Sequence, residues 1–281
     1  MIEKILLANS GTGQTEEMLK ALMEIPAIGG AAITILHVVP PQVSAETMTD
    51  KWEEGGKLLA KAVQQLKLDP NRVTAILREG DPKDVVCRVA DEIDADLIIM
   101  GSRGLKRLQS ILENSVSQYV FQLASRPMLL VRDDIYVKKI NRVMVALDKS
   151  EPAKQALAQA LTFLRDIKGG QLVLVHANPD MKIKPGEIPN PEEDPLLIAA
   201  ANEAKKLGIN CKTVAPVGKP GERICQVAEE LSVDLLVLGS PERRPSIAKA
   251  LPDLDRLLGQ SLSDYIRVYA NCPVLLVRVP G

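Results

Sequence analysis

The sequence predicts an α/β protein made of two consecutive domains, each a parallel sheet covered by helices on both faces. Two observations carry that expectation: short, strongly apolar runs alternate with helical patterns along the whole chain, and the alternation occurs twice. Residues 80–102 align without a gap on residues 218–240, with ten identities in 23 positions at a constant offset of 138. The offset also pairs Ile2–Ala8 with Ile140–Ala146, and it grows to 139 at His37/His176 and 146 at Tyr119/Tyr265. Insertions therefore fall in loops, and a period this long describes whole domains rather than solenoid units.

In the first half the runs Ile5–Ala8, Ile33–Val39, Val73–Leu77, Leu97–Met100 and Met128–Val131 read as strands too apolar to face water on either side. Between them, Glu16–Glu24, Lys51–Leu66, Pro82–Ile93 and Ser115–Leu123 carry helical patterns, with Pro82 at a helix start. Right-handed crossovers then build a parallel sheet. The second half repeats the strands at Val143–Leu147, Leu172–His176, Cys211–Ala215, Leu235–Leu238 and Val274–Val279. The charged segment Arg132–Lys139 reads as a linker, giving domains over 1–134 and 139–281. Pro40–Thr49 and the proline-rich Asn178–Pro195 read as exposed loops after the second strand of each half.

Composition narrows the function. At 281 residues and 46% hydrophobic, the chain can bury roughly 75% of its unfolded surface, with two cores expected. A formal net charge of −1, spread evenly, offers no basic stripe for nucleic acid or anionic lipid, and 2% aromatics leave little to stack on bases. The start of the chain lacks an export pattern and its longest apolar stretch, around Ala27–Val39, is too short to span a bilayer, so a cytoplasmic protein is expected. Cys87, Cys211, Cys225 and Cys272 have no CxxC spacing and fall in helix or strand context; the equivalent Cys87 and Cys225 read as small buried hydrophobes.

Ligands of open parallel sheets lie beyond the carboxyl ends of the strands. Three loops of the first half converge there: Asn9–Gly13, Val38–Pro41 and Gly101–Asn114. The last puts Gly101, Ser102 and Gly104 after a strand and Asn114-Ser115 at a helix start, where backbone N–H groups and the helix dipole suit an anion. Arg103, Lys106 and Arg107 add positive charge, though a solvated helix face explains the last two equally well. Other chemistries lack support. Asn9–Gly13 starts like a dinucleotide fingerprint but has Glu16 for the third glycine, and no GxxxxGK[ST] loop occurs. His37 and His176 end equivalent strands without clustered metal ligands and read as structural, and Ser10, Thr12 and Ser115 have no evident base.

Gly101-x-x-Gly104, nine residues, then Asn114-Ser115, together with KILLANSG, ILHVV, GDP, DLIIMGSRG and SVSQYVFQLASRPMLLVR, resembles the universal stress protein family. The chain is similar to a tandem member. The resemblance implies open doubly wound sheets of five parallel strands in order 3-2-1-4-5, an adenine nucleotide alpha-hydrolase-like fold. It further implies two domains related by a pseudo-twofold axis, with Met128–Val131 and Val274–Val279 at their contact. It implies an adenine nucleotide, ATP or AMP with or without Mg²⁺, held by Ala8, Asn9, Ser10, Val38, Met100, Gly101, Arg103, Gly104, Asn114, Ser115, Val116 and Ser117. The second half offers Asp148, Ala177, Leu238, Gly239, Ser240 and Ser261. Each half departs from the family pattern. Ser10 stands for an Asp and Asn114 for a Gly in the first; Glu242 and Gln260 replace glycines in the second, where a carboxylate would repel phosphate. The expectation is a stress-response binding module rather than an enzyme, with the nucleotide in the first half and a regulatory protein as partner. A nucleotide-independent scaffold and a slow ATP hydrolase are the alternatives, and further self-assembly stays open.

Overall fold

The computed structural model describes residues 2–11, 15–102, 116–178, 190–240 and 261–278. The main division between two compact units falls between Lys138 and Lys139. In the first unit the order is β1 (Lys4–Ala8), α1 (Thr15–Met23), β2 (Ala32–Val39), α2 (Ala45–Leu66), β3 (Val73–Glu79), α3 (Pro82–Glu92), β4 (Leu97–Ser102), α4 (Val116–Leu123) and β5 (Met128–Arg132). Its strands lie in the order β3-β2-β1-β4-β5, all neighbours parallel. The second unit runs β6 (Arg142–Ala146), α5 (Glu151–Leu164), β7 (Gln171–Val175), α6 (Pro195–Lys206), β8 (Asn210–Val214), α7 (Pro220–Glu230), β9 (Leu235–Gly239), α8 (Leu262–Tyr269) and β10 (Val274–Val277). Its order, β10-β9-β6-β7-β8, is the same arrangement with parallel pairing throughout.

The central strands are as apolar as their sequence demands. Ile5, Leu6 and Leu7 of β1, Ile98 and Ile99 of β4, Val143–Val145 of β6 and Leu235–Val237 of β9 have no measurable exposure. Each such side chain contributes roughly 1.5–3 kcal/mol on burial. Two strands break the expectation of burial on both faces: β3 and β8 contain only half-buried and exposed residues. They are the outermost strands on one side of each order, so each lacks one neighbouring strand.

Helix starts follow from short polar side chains. The Asp81 carboxylate accepts from the Lys83 amide with Pro82 at the first helical position, and Ser150 caps α5. Ser44 caps α2, so this helix begins at Ala45, six residues before the expected Lys51. Its first turns are exposed and carry no apolar stripe, which hid them from periodicity. Likewise Pro195, expected in a loop, opens α6 behind the Asp194 cap, and Pro191–Glu193 forms a 3-10 turn; residues 179–189 lie outside the described residues. Arg132, expected in the linker, closes β5, buried and paired with Asp134 at 2.7 Å.

The duplication preserves one tying device with a clear physical cause. Asp96, just before β4, accepts from the Glu3 and Lys4 amides at the start of β1, at 2.8 and 2.9 Å. Asp234, 138 residues later, accepts identically from Asn141 and Arg142. A carboxylate taking two charge-assisted bonds from main-chain donors fixes the register of the central strand pair.

Candidate functional site

Beyond the carboxyl ends of β1, β2 and β4 lies a cleft of about 590 Å³, within the range of roughly 300–1,000 Å³ typical of small-molecule sites. Three strand ends form its floor. Ala8, Asn9 and Ser10 come from β1, His37, Val38 and Val39 from β2, and Met100, Gly101 and Ser102 from β4; Val116 and Ser117 of α4 stand beside the last group. Eight predicted residues thus line one cavity: Ala8, Asn9, Ser10, Val38, Met100, Gly101, Val116 and Ser117. Arg103, Gly104, Asn114 and Ser115 lie outside the described residues.

The floor is held by bonds within the protein. The Asn9 Nδ2 donates to Glu16 Oε1 at 2.8 Å, and its Oδ1 accepts from the Gly11 amide at 2.6 Å. Both ends of that side chain are engaged, and Asn9 itself is buried. His37 Nδ1 bonds the Asn9 carbonyl oxygen at 2.8 Å. As a carbonyl can only accept, the ring carries its proton on Nδ1 and acts structurally, as its sequence context suggested. At the β4 end, the Ser102 Oγ is buried with no hydrogen-bond partner among the described residues. An unsatisfied hydroxyl beside Gly101 leaves a polar group for an occupant of the cleft to meet.

Sequence reasoning missed the α2 wall. Lys51, Glu54, Gly55 and Leu58 line the cleft from above, with Gln42 and Asp133 at its margins. The helix comes close because position 55 is glycine: a Cβ there would stand 2.9 Å from both His37 Cδ2 and Leu77 Cδ1. The Gly55-Gly56 pair inside an otherwise helical pattern was the available clue. Lys51 Nζ and Glu54 Oε2 are 2.6 Å apart, and the hydrogen bond and charge of Lys51 hold the Glu54 carboxyl below its ordinary range.

The second-half candidates are occupied differently. Asp148 is exposed and accepts from the Ser150 amide at 2.7 Å, a local turn before α5. Ala177 is half-buried and Leu238 buried. Gly239 has a packing cause: a Cβ there would fall 2.4 Å from the Ala153 nitrogen and the Pro152 carbonyl carbon, so the first turn of α5 rests directly on β9. Ser240 is buried, its amide donating to the Val277 oxygen at 2.8 Å. Ser261 caps α8 and bonds Asp264 Oδ2 at 2.5 Å. Asp264 in turn pairs with Arg267, both almost fully buried. The N-terminus of α8 thus already holds a carboxylate of its own; the first-half counterpart of Asp264 at the offset of 146 is the neutral Gln118.

His176 Nδ1 bonds Asp194 Oδ2 at 2.6 Å, tying the end of β7 to the α6 cap. Burial works to raise the Asp194 carboxyl, but bonds from His176 and from the Leu197 and Leu196 amides outweigh it and leave it below its ordinary range. Cys87 and Cys225 are half-buried rather than buried, Cys211 is exposed, and Cys272 lies in a turn before β10. The buried side of a helix is narrower than its apolar spacing suggested. Among the described residues, no group of three His, Cys, Asp or Glu could hold a metal ion, and no helix is long and apolar enough to cross a membrane.

The universal stress protein family model matches residues 1–132 and again 139–278. The chain belongs to the universal stress protein family, as a tandem of two such units. A universal stress protein of Bacillus subtilis is 28% identical over 148 residues, which is 47% of this chain and all of that protein. The solved structure of a universal stress protein from Archaeoglobus fulgidus covers 99% of this chain and 97% of its own, with a TM-score of 0.77 at 21% identity, and so shares the fold over both halves. An Arabidopsis thaliana family member, solved with AMP bound, covers 49% of this chain and 90% of its own at 23% identity and a TM-score of 0.35.

Proposed function

We propose that the first half binds an adenine nucleotide, ATP or AMP, in the cleft beyond β1, β2 and β4, and that occupancy biases an interaction with a regulatory protein. The observation that carries this reading is the cleft itself, which gathers the ends of three central strands under the α2 wall. Val38 supplies apolar surface for a base, and Gly101, Ser102 and the start of α4 supply main-chain and hydroxyl donors for phosphate. Family membership supports the same ligand class. The second half is read as a degenerate site, because Gly239 is explained by the seat of α5 and Asp264 already serves the α8 terminus.

The proposal includes domains over 1–134 and 139–281 in a cytoplasmic protein. Titration calorimetry of the intact chain with ATP, ADP and AMP tests the binding claim. The expected result is one nucleotide per chain with a Kd of micromolar order, roughly −8 kcal/mol. No heat and no thermal shift at millimolar nucleotide would refute it and leave a nucleotide-independent scaffold.

A further inference from the structure

Resting on that nucleotide reading, we infer that Glu54 of α2 recognises the ribose hydroxyls and makes the first half selective for ribonucleotides over their 2′-deoxy counterparts. Strands β2, β1 and β4 are consecutive neighbours, about 4.8 Å apart, so the floor spans roughly 10 Å from β2 to β4. That distance separates a purine from its first phosphate. With phosphate at the Gly101 end and the base over Val38, the sugar lies over the end of β1.

A vicinal diol presents two O–H donors, and a carboxylate is the side chain that accepts both. The end of β1 has none to offer. Position 10 is serine, and the Asn9 carboxamide is bonded to Gly11 and Glu16. Among the described residues the cleft has two carboxylates, Glu54 and Asp133. Asp133 follows β5, its amide donating to the Ser102 oxygen, which sets it at the phosphate end, away from the sugar.

Glu54 is placed for the sugar. Its neighbour Gly55 brings α2 down onto the His37 ring, and that ring is bonded to the Asn9 carbonyl of the β1 loop. At Gly55 the α2 backbone rests on β2 and β3, since a Cβ there would also meet Val39 and Leu77, while Leu58, one turn beyond Glu54 on the same helix face, stands against Gly11 of the β1 loop; Glu54 thus faces the end of β1 from α2. Lys51, 2.6 Å from Glu54, keeps the carboxylate ionised and able to accept. The pair is half-exposed, so hydroxyls can share the carboxylate with Lys51 at little loss.

Calorimetric titration of the intact protein with ATP and 2′-deoxy-ATP tests the inference, on the wild type and on Glu54→Gln. The wild type is expected to prefer ATP at least tenfold. Glu54→Gln should keep its melting temperature, lose affinity for ATP, bind 2′-deoxy-ATP as before, and so discriminate less than threefold. Equal wild-type affinities for the two nucleotides, or full discrimination in Glu54→Gln, would overturn the assignment while leaving nucleotide binding intact. If the wild type binds neither, the nucleotide reading falls and this assignment with it.

Discussion

Gly239→Ala is expected to destabilise the second half by about 3 kcal/mol, the upper end of the usual overpacking cost. The atoms that the new methyl group would meet at 2.4 Å are main chain, the Ala153 nitrogen and the Pro152 carbonyl carbon. A side chain could swing aside; the first turn of α5 cannot. The helix must lift from β9, opening apolar contacts along Ala153, Ala156 and Ala160, all buried. Differential scanning calorimetry should show the melting of this half lowered by roughly 6–12 °C. Gly30→Ala is the control, since no heavy atom lies within 4 Å of its added Cβ and its backbone has an ordinary φ. If the two variants melt alike, α5 does not rest on β9, and the packing explanation of Gly239 is wrong. The result bears on function because a glycine explained by packing is no evidence for a ligand.

Gly104→Glu is expected to weaken nucleotide binding by roughly a hundredfold. The substitution copies Glu242 of the second half into the first. Position 104 lies outside the described residues; the substitution is motivated by the Gly101-x-x-Gly104 spacing that the family resemblance assigns to phosphate. Two like charges about 5 Å apart repel by about 3 kcal/mol at an effective dielectric near 20. Calorimetry with AMP reads the loss directly. The reciprocal change, Glu242→Gly, should not create a second binding event, because α5 on Gly239 and the Asp264 carboxylate remain. Unchanged affinity in Gly104→Glu would put the nucleotide elsewhere.

Much of the fold was legible because its central strands are buried on both faces and so are written as unbroken apolar runs, such as Ile5–Ala8 and Leu235–Leu238. The exposure of β3 and β8 was not, since a strand's place at the end of the order depends on partners that its own residues do not name. The start of α2 escaped for another reason: residues 45–50 are solvated, and only the Ser44 cap marks them. In the site, residues on strand ends could be placed once the strands were found. The α2 wall could not, because Lys51 and Glu54 look like any solvated pair until Gly55 brings the helix onto His37. The Asp264 anchor was legible in principle as Ser261-x-x-Asp264, a capping pattern, yet its consequence for an anion site appears only with the geometry.

The central claim is that the first half, and it alone, holds the nucleotide. A crystal structure of the intact chain grown with excess ATP tests it most directly. The account predicts density for one nucleotide per chain, its base near Val38, its sugar beneath Glu54 and its phosphates beside Gly101 and Ser102. Density confined to the second half, or an empty first-half cleft at saturating ATP, would contradict it.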